Sequence, residues 1–319
     1  MTDQLQSAAE PAIVAQGLTK SFPGVRAVDS LSIDVRAGEI FGLVGPDGAG
    51  KTTTLRMLAG IMPPDSGKAT VAGCDVVRHP EAAKHALSYM PQRFGLYEDL
   101  TVDENIRFYA DLFGVQKAER TTRSTQLLEA AGMSEFRARM AGKLSGGMKQ
   151  KLGLVCALIH RPRVILLDEP TTGVDPVSRR DFWRILYELV AEGVAILTST
   201  AYLDEAERCH RVALMNQGKL LFCDTPANLK AHMKKGVLSV TSAEPRQLRT
   251  TLEHADGISS LVLTGEGVHL VVDDAAKRIP EFEALLKKAN VAYDAIQQVA
   301  PTIEDLFVDA VTSGATSHA

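Results

Sequence analysis

The sequence predicts an α/β fold: a mixed sheet interrupted by a helical insert and followed by a small α+β domain. Three observations lead there. Residues 40–44, Ile-Phe-Gly-Leu-Val, read as a buried strand, and past a glycine-rich turn Leu55, Leu58, Ala59 and Met62 recur at the i, i+3, i+4, i+7 spacing of a helix face. Residues 101–159 are almost wholly helical in pattern, while the short apolar runs 164–167 and 195–199 read as buried strands. Beyond Lys234-Lys235-Gly236 the rhythm changes to strand, helix, strand, strand, helix, strand.

Between the first strand and helix lies Gly45-Pro46-Asp47-Gly48-Ala49-Gly50-Lys51-Thr52, which fits the phosphate-binding pattern G-x-x-x-x-G-K-[ST]. Each fixed residue answers a need of nucleotide chemistry. Gly45, Gly48 and Gly50 let successive backbone N–H groups face one concavity, Lys51 bridges β- and γ-phosphates, and the Thr52 hydroxyl reaches Mg²⁺. A helix N-terminus behind the loop adds favourable partial charge for an anion.

Taken in order, residues 13–35 alternate as antiparallel strands with a turn at Pro23-Gly24 and a break at Ala37-Gly38. Phe22 stands at that turn, where its face could stack on an adenine ring or join the core. Pro63-Pro64-Asp65-Ser66-Gly67 stops the first helix, 69–77 returns as strand around Gly73, and 87–92 forms a strand ending at Gln92. In the insert, about 100–161, Val102, Ile106, Tyr109 and Leu112 share one helix face and Leu127, Leu128 and Ala131 another.

Ser145 then caps a helix carrying Met148, Leu152, Val155 and Ile159, and Gly146 and Gly147 leave its first N–H groups open to close approach. Four branched residues, 164–167, precede Asp168 and Glu169, placing two carboxylates at the C-terminal end of a buried strand, where open α/β sheets bind ligands. Residues 212–215 and 219–222 form a hairpin across Asn216-Gln217-Gly218. In the last part, 237–241, 258–264, 268–272 and 292–299 read as strands, and 245–254, 280–288 and 301–311 as helices. That order suggests a ferredoxin-like domain of packing or regulatory use, without a catalytic cluster.

The 319 residues suffice for one large domain and a small one, and 45% hydrophobic with 23% charged is a globular composition. A net charge of -4, with basic residues spread out, gives no reason to expect nucleic acid as the main partner. No apolar run approaches the ~18–20 residues that cross a bilayer. Residues 1–12 lack the apolar core of a signal peptide and read as a disordered tail of a cytoplasmic protein, and 312–319 read as a polar tail. Cys74, Cys156, Cys209 and Cys223 show no metal spacing and read as reduced core thiols.

In order and spacing, these motifs resemble the ATP-binding cassette (ABC) family over about residues 13–235: GPDGAGKT, Gln92 ending its strand, LSGGMKQ at 144–150, VILLDEP at 164–170 and Thr172-Gly173-Val174-Asp175. The resemblance implies a P-loop ATPase cassette with ATP and Mg²⁺. Phe22 would stack on adenine, and Gly45, Pro46, Asp47, Gly48, Ala49, Gly50, Lys51, Thr52 and Thr53 would hold the phosphates. Thr52, Gln92 and Asp168 would serve the metal, and Lys51, Gln92 and Glu169 catalysis, with Glu169 polarising the attacking water. Ser145, Gly146 and Gly147 would cap the γ-phosphate bound to a second cassette, so the working unit is a head-to-tail pair, a homodimer favoured over a heterodimer.

LSGGMKQ, the string YEDLTVDEN at 97–105 and the ending PTIEDLF at 301–307 are similar to drug-exporter ATPases of the daunorubicin type. They imply export through polytopic membrane subunits, with this chain peripheral on the inner face of the membrane. One departure stands out: the family's switch His is replaced by Ala201, and His210 offers no substitute. That keeps a regulator with vestigial hydrolysis, and a soluble ABC ATPase, in view as alternatives.

Overall fold

The computed structural model describes residues 10–93 and 95–312; of the tails expected at 1–12 and 312–319, residues 1–9 and 313–319 lie outside the described residues. The chain forms two compact units. One comprises the chain up to Ala201 with the turn Gln217–Lys219, and the other Tyr202–Asn216 with the chain from Leu220 onward.

The first unit opens with β1 (Ile13–Phe22) and β2 (Val25–Val35), an antiparallel hairpin turning at Pro23 and Gly24. Then come β3 (Ile40–Val44), α1 (Lys51–Leu58), β4 (Ser66–Val71), β5 (Cys74–Asp75), α2 (Pro80–Ala86) and β6 (Leu87–Met90). The insert holds α3 (Val102–Leu112), α4 (Lys117–Ala130) and α5 (Gly146–Leu158), after which β7 (Val164–Asp168), α6 (Pro176–Ala191) and β8 (Ala195–Thr200) complete the unit. An antiparallel sheet runs β2-β1-β4-β5, and a parallel one β3-β8-β7-β6.

Every residue of β3, β7 and β8 is buried. Parallel strands covered on both faces need such unbroken apolar runs, and that is why these three were legible. Their register sets Val44 beside Thr200 and Asp168 beside Ser199, so loop, acids and hydroxyls gather at one end of the sheet.

Several expected boundaries move. Helix α1 ends at Leu58 rather than running to Met62, because Gly60 takes φ +66° just past its end, three residues before the first proline. Leu112 is 65% exposed, and the buried stripe of α3 is Val102, Ile106 and Ala110 instead. The insert also contains an extended stretch, where Met140 bridges to Thr101, and this separates α4 from α5. Helix α2 was not foreseen: Pro80 opens it, but its only buried residue is Ala83, so no apolar period marks it.

The string 97–105 has a structural role. Thr101 and Glu104 form a reciprocal capping box at the start of α3. Asn105, fully buried, accepts from the Tyr97 N–H at 2.9 Å and donates to the carbonyls of Tyr97, Leu100 and Thr101. That carboxamide fixes the loop ahead of α3, since a buried amide must find partners. Of the cysteines, Cys156 and Cys209 are buried, and burial pushes both thiols well above their ordinary range. Cys74 is half-buried and Cys223 exposed, so the expectation of core thiols fails for these two; none of the four is in a disulfide.

The second unit contains α7 (Leu203–Ala206), β9 (Arg211–Asn216), β10 (Lys219–Asp224, all but its first residue) and α8 (Pro226–Ala231). It continues with β11 (Gly236–Thr241), α9 (Pro245–Leu252), β12 (Ile258–Leu263), β13 (Gly267–Val272), α10 (Ala275–Lys288), β14 (Ala295–Val299) and α11 (Ile303–Thr312). Strands β12-β13-β11-β14 form an antiparallel sheet. One face packs Leu238, Val240, Val268, Leu270 and Val272 against Leu248 and Leu252 of α9 and Phe282 and Leu286 of α10.

Helix α10 starts five residues before Pro280, the expected first residue. Asp274 is its cap, accepting from the Lys277 N–H at 3.1 Å, and Pro280 lies inside the helix. Among the described residues no helix is long and apolar enough to cross a membrane.

Candidate functional site

The glycine-rich loop between β3 and α1 needs its glycines. Gly48 and Gly50 take φ +78° and +101°, where side chains are rarely tolerated, and a Cβ on Gly50 would collide with the Ala27 carbonyl. The Gly45 N–H donates to the Thr200 carbonyl at 3.3 Å, tying the start of the loop to the end of β8. Lys51 then curls under the loop. Its ammonium donates to the carbonyls of Gly45 at 2.7 Å and Pro46 at 3.1 Å and pairs with Glu169 Oε1 at 3.2 Å.

The acids sit where β7 ends. Asp168 is 2% exposed, and it accepts from the Thr52 hydroxyl at 3.0 Å and the Ser199 hydroxyl at 2.7 Å on Oδ1, and from the Tyr89 hydroxyl at 3.3 Å on Oδ2. Burial, followed by the negative charge of Asp168, pushes the Tyr89 phenol up to about 12, so it remains a donor. Glu169 adopts φ +48°, a left-handed conformation rare outside glycine, and this turns its carboxylate to Lys51. Gln92 donates to Glu169 Oε2 at 3.1 Å, and the Thr172 hydroxyl does so at 3.4 Å.

These groups open on a cleft of 510 Å³ lined by Phe22, Val25, Ala27, residues 47–53, Gln92 and Glu169. Phe22 is 42% exposed there, so it is a cleft wall and not a core aromatic. The structure thus brings together Phe22, the loop, Gln92, Asp168 and Glu169. Val25 and Ala27, unforeseen, join Phe22 on its wall because the β1–β2 turn carries all three.

Ser145, Gly146 and Gly147 are not among the residues lining this cleft. Ser145 caps α5, accepting from the Met148 N–H at 3.3 Å. A Cβ on Gly147 would come within 2.5 Å of Ser178 Cβ and Oγ, so a glycine is required where this helix start packs against α6. Asp175 fixes that helix, accepting from the N–H groups of Val177 and Ser178 at 3.1 and 2.9 Å. Ala201 is exposed, one residue past the Thr200 carbonyl that holds the loop.

The residues fit magnesium nucleotide. A hydroxyl and a carboxylate 3.0 Å apart are hard oxygen donors, and Mg²⁺ is usually held by one or two carboxylates with substrate phosphates supplying the rest. Among the described residues no group of three or more His, Cys, Asp or Glu could hold a metal ion. Ser199 and Tyr89 were missed by sequence reasoning; the one signal was three hydroxyls, Thr198, Ser199 and Thr200, in a strand wholly buried.

A strand, a glycine-rich loop with its lysine and threonine, a helix and an acidic pair on a neighbouring parallel strand define a P-loop nucleotide-binding protein. The sequence profile of the ABC transporter family matches residues 28–172. The chain is 45% identical over 318 residues to the probable multidrug ABC transporter ATP-binding protein YbhF of Escherichia coli (strain K12), across 96% of this chain and 53% of that protein. It is 35% identical over 302 residues to the daunorubicin resistance ATP-binding protein DrrA2 of Streptomyces coeruleorubidus, across 93% of this chain and 94% of that one. A solved ATP binding subunit of an ABC transporter superposes with a TM-score of 0.64 at 29% identity, over 69% of this chain and 92% of that chain. The chain therefore belongs to the ABC transporter ATP-binding family. It spans about half the length of the Escherichia coli relative and nearly all of the Streptomyces one.

Proposed function

We propose that this chain binds MgATP in the cleft and hydrolyses it, as one of two paired ATPase subunits of an exporter whose membrane path lies in separate polytopic subunits. One observation carries the reading: Lys51, Thr52, Asp168, Glu169 and Gln92 converge on one cleft through direct hydrogen bonds and an ion pair. Phe22 would stack on the adenine, the loop N–H groups and Lys51 would take the phosphates, and Thr52 and Asp168 would hold Mg²⁺, which neutralises phosphate charge. Glu169 would accept the proton of the attacking water and Gln92 would orient that water.

Ser145, Gly146 and Gly147, standing off the cleft, suit a role on a partner's nucleotide, so the site is complete only in a pair. A homodimer is favoured because Asp168, Glu169 and the 144–150 segment are all intact. In that case Ser145→Arg and Glu169→Gln reduce turnover alike, whereas a heterodimer with a stronger partner site makes Ser145→Arg the more damaging. The names of the two relatives, a multidrug ABC transporter ATP-binding protein and a daunorubicin resistance ATP-binding protein, support export, and with export we place this chain peripherally on the inner face of the membrane. We read 13–235 as the cassette and 237–311 as an accessory, ferredoxin-like domain.

The second reading, a nucleotide-binding regulator, is favoured by Ala201 alone. Affinity purification of the full chain from detergent-solubilised membranes separates them. Co-purification of a polytopic protein together with Mg²⁺-dependent ATP hydrolysis, lost in Glu169→Gln, is the expected result. A membrane partner without hydrolysis supports the regulator, and hydrolysis without a membrane partner overturns export.

A further inference from the structure

We infer that Ser199 is the positioning residue that locks the two acids of the site together, so that metal affinity and the orientation of Glu169 depend on one hydroxyl. The inference rests on the proposed MgATP reading of the cleft. It begins from register: Ser199 of β8 lies directly beside Asp168 of β7 in the parallel sheet, and it is fully buried.

A serine hydroxyl has one proton to give and lone pairs with which to accept. Ser199 Oγ is 2.7 Å from Asp168 Oδ1, which as a carboxylate oxygen only accepts, so the proton goes there. The same oxygen then accepts from the Glu169 N–H at 3.0 Å, a donor that also reaches the Ser199 carbonyl at 3.2 Å. The direction of the chain is therefore fixed: peptide N–H to hydroxyl to carboxylate.

Both ends matter. At Asp168, Ser199 is one of three hydroxyl donors, with Thr52 on the same oxygen and Tyr89 on the other. Among these three, Ser199 alone also holds Glu169. At Glu169, the anchored N–H sits at the residue whose φ is +48°, a conformation that is strained for a residue with a Cβ and so persists only where neighbours enforce it. Removing the hydroxyl takes away half the restraint on the strained turn and the shortest of the three hydrogen bonds to the metal carboxylate, leaving Thr52 on Oδ1 and Tyr89 on Oδ2. Groups that orient a metal ligand commonly govern affinity roughly 10- to 100-fold without touching the ion.

The test uses the full chain with a non-hydrolysable ATP analogue and Mn²⁺ followed by electron paramagnetic resonance, in wild type, Ser199→Ala, Ser199→Thr and Tyr89→Phe. Analogue binding is also measured without metal, and hydrogen exchange is followed at the Glu169 amide. Ser199→Ala should weaken Mn²⁺ binding about 10-fold, leave metal-free analogue binding unchanged and speed exchange at Glu169. Ser199→Thr, which keeps the hydroxyl, should restore both. Tyr89→Phe should weaken Mn²⁺ binding while leaving the Glu169 amide protected. Unchanged Mn²⁺ affinity in Ser199→Ala, or an equal loss of metal-free and metal-bound binding, overturns the role of Ser199. Failure of the wild-type chain to bind Mn²⁺ with the analogue overturns the MgATP reading itself, and this proposal with it.

Discussion

The Lys51–Glu169 ion pair makes a prediction about nucleotide affinity that differs from the one about turnover. The groups are 3.2 Å apart, with side chains 4% and 13% exposed. At an effective dielectric near 20, two unit charges at that distance attract by about 5 kcal/mol. Phosphates entering the cleft must take Glu169's place on Lys51 and then tolerate its negative charge nearby. Glu169→Gln removes both penalties, while Lys51 keeps the Gly45 and Pro46 carbonyls. Desolvation of the pair already offsets most of the gross attraction, so a net gain on the order of 1–2 kcal/mol is expected, roughly 5- to 30-fold tighter binding. The assay is calorimetric titration of wild type and Glu169→Gln with a non-hydrolysable ATP analogue, with and without Mg²⁺. Since an amide cannot accept a proton from water, turnover should fall in the same variant by about 10²-fold or more. Unchanged or weaker analogue binding would refute the competition between Glu169 and phosphate.

Three further outcomes follow from the site and the second unit. Lys51→Ala should weaken MgATP binding by roughly 30- to 150-fold, since a charged hydrogen bond to phosphate is worth about 2–3 kcal/mol; undiminished affinity in a titration would remove the loop assignment. Ala201→His, placed just past the Thr200 carbonyl that holds Gly45, should raise steady-state hydrolysis, with a ceiling of roughly 10²-fold for one preorganised donor; no gain would clear Ala201 as the bottleneck. In the second unit, the hydrogen bond to Asp305 raises His269 above the ordinary 6.5, while Asp305, pushed up by burial but pulled down further by His269 and Thr302, ends below 3.8. The His269 contribution to stability is complete below pH 6.5 and lost as pH rises through its folded value, and that of Asp305 is lost as pH falls through its own. Hydrogen exchange at the amides of α11 should thus be slowest between about pH 4 and 6.5 once corrected for intrinsic rates, and His269→Gln should flatten the alkaline side.

What the sequence disclosed, and what it hid, divides along physical lines. The buried strands β3, β7 and β8 were legible because a two-sided parallel sheet demands unbroken apolar runs, and the loop because phosphate chemistry leaves few residue choices. Helix α2 and the true start of α10 were not, since one offers no apolar stripe and the other hides its cap behind a proline five residues inside. At the site, Lys51, Asp168 and Glu169 announce themselves by charge. Ser199 and Tyr89 do not: each is an ordinary strand residue until register puts its hydroxyl on Asp168. Pairing across a parallel sheet joins residues 31 and 79 positions apart, a separation at which no local pattern carries information.

The ending PTIEDLF shows the same limit from the other side, a motif visible in sequence whose reason is visible only in three dimensions. Thr302 and Asp305 begin α11 as a reciprocal cap: Asp305 N–H donates to the Thr302 hydroxyl oxygen at 3.1 Å, and Thr302 N–H donates to Asp305 Oδ2 at 2.9 Å. Local spacing predicts that much. It does not predict that the fully buried Asp305 also reaches His269 of β13 at 3.2 Å. His269 alternates with Val268 and Leu270, whose side chains enter the core with α9 and α10, so it faces the other side of the sheet. Helix α11 covers that side through Ile303, Leu306, Phe307 and Ala310, and it also packs on α7 and α8 of the same unit. A carboxylate buried this deeply is tolerated only with partners, so the cap and the imidazole together set where α11 can dock. The motif is therefore a docking device for the last helix, and removing that helix would uncover β12, β13, α7 and α8 at once.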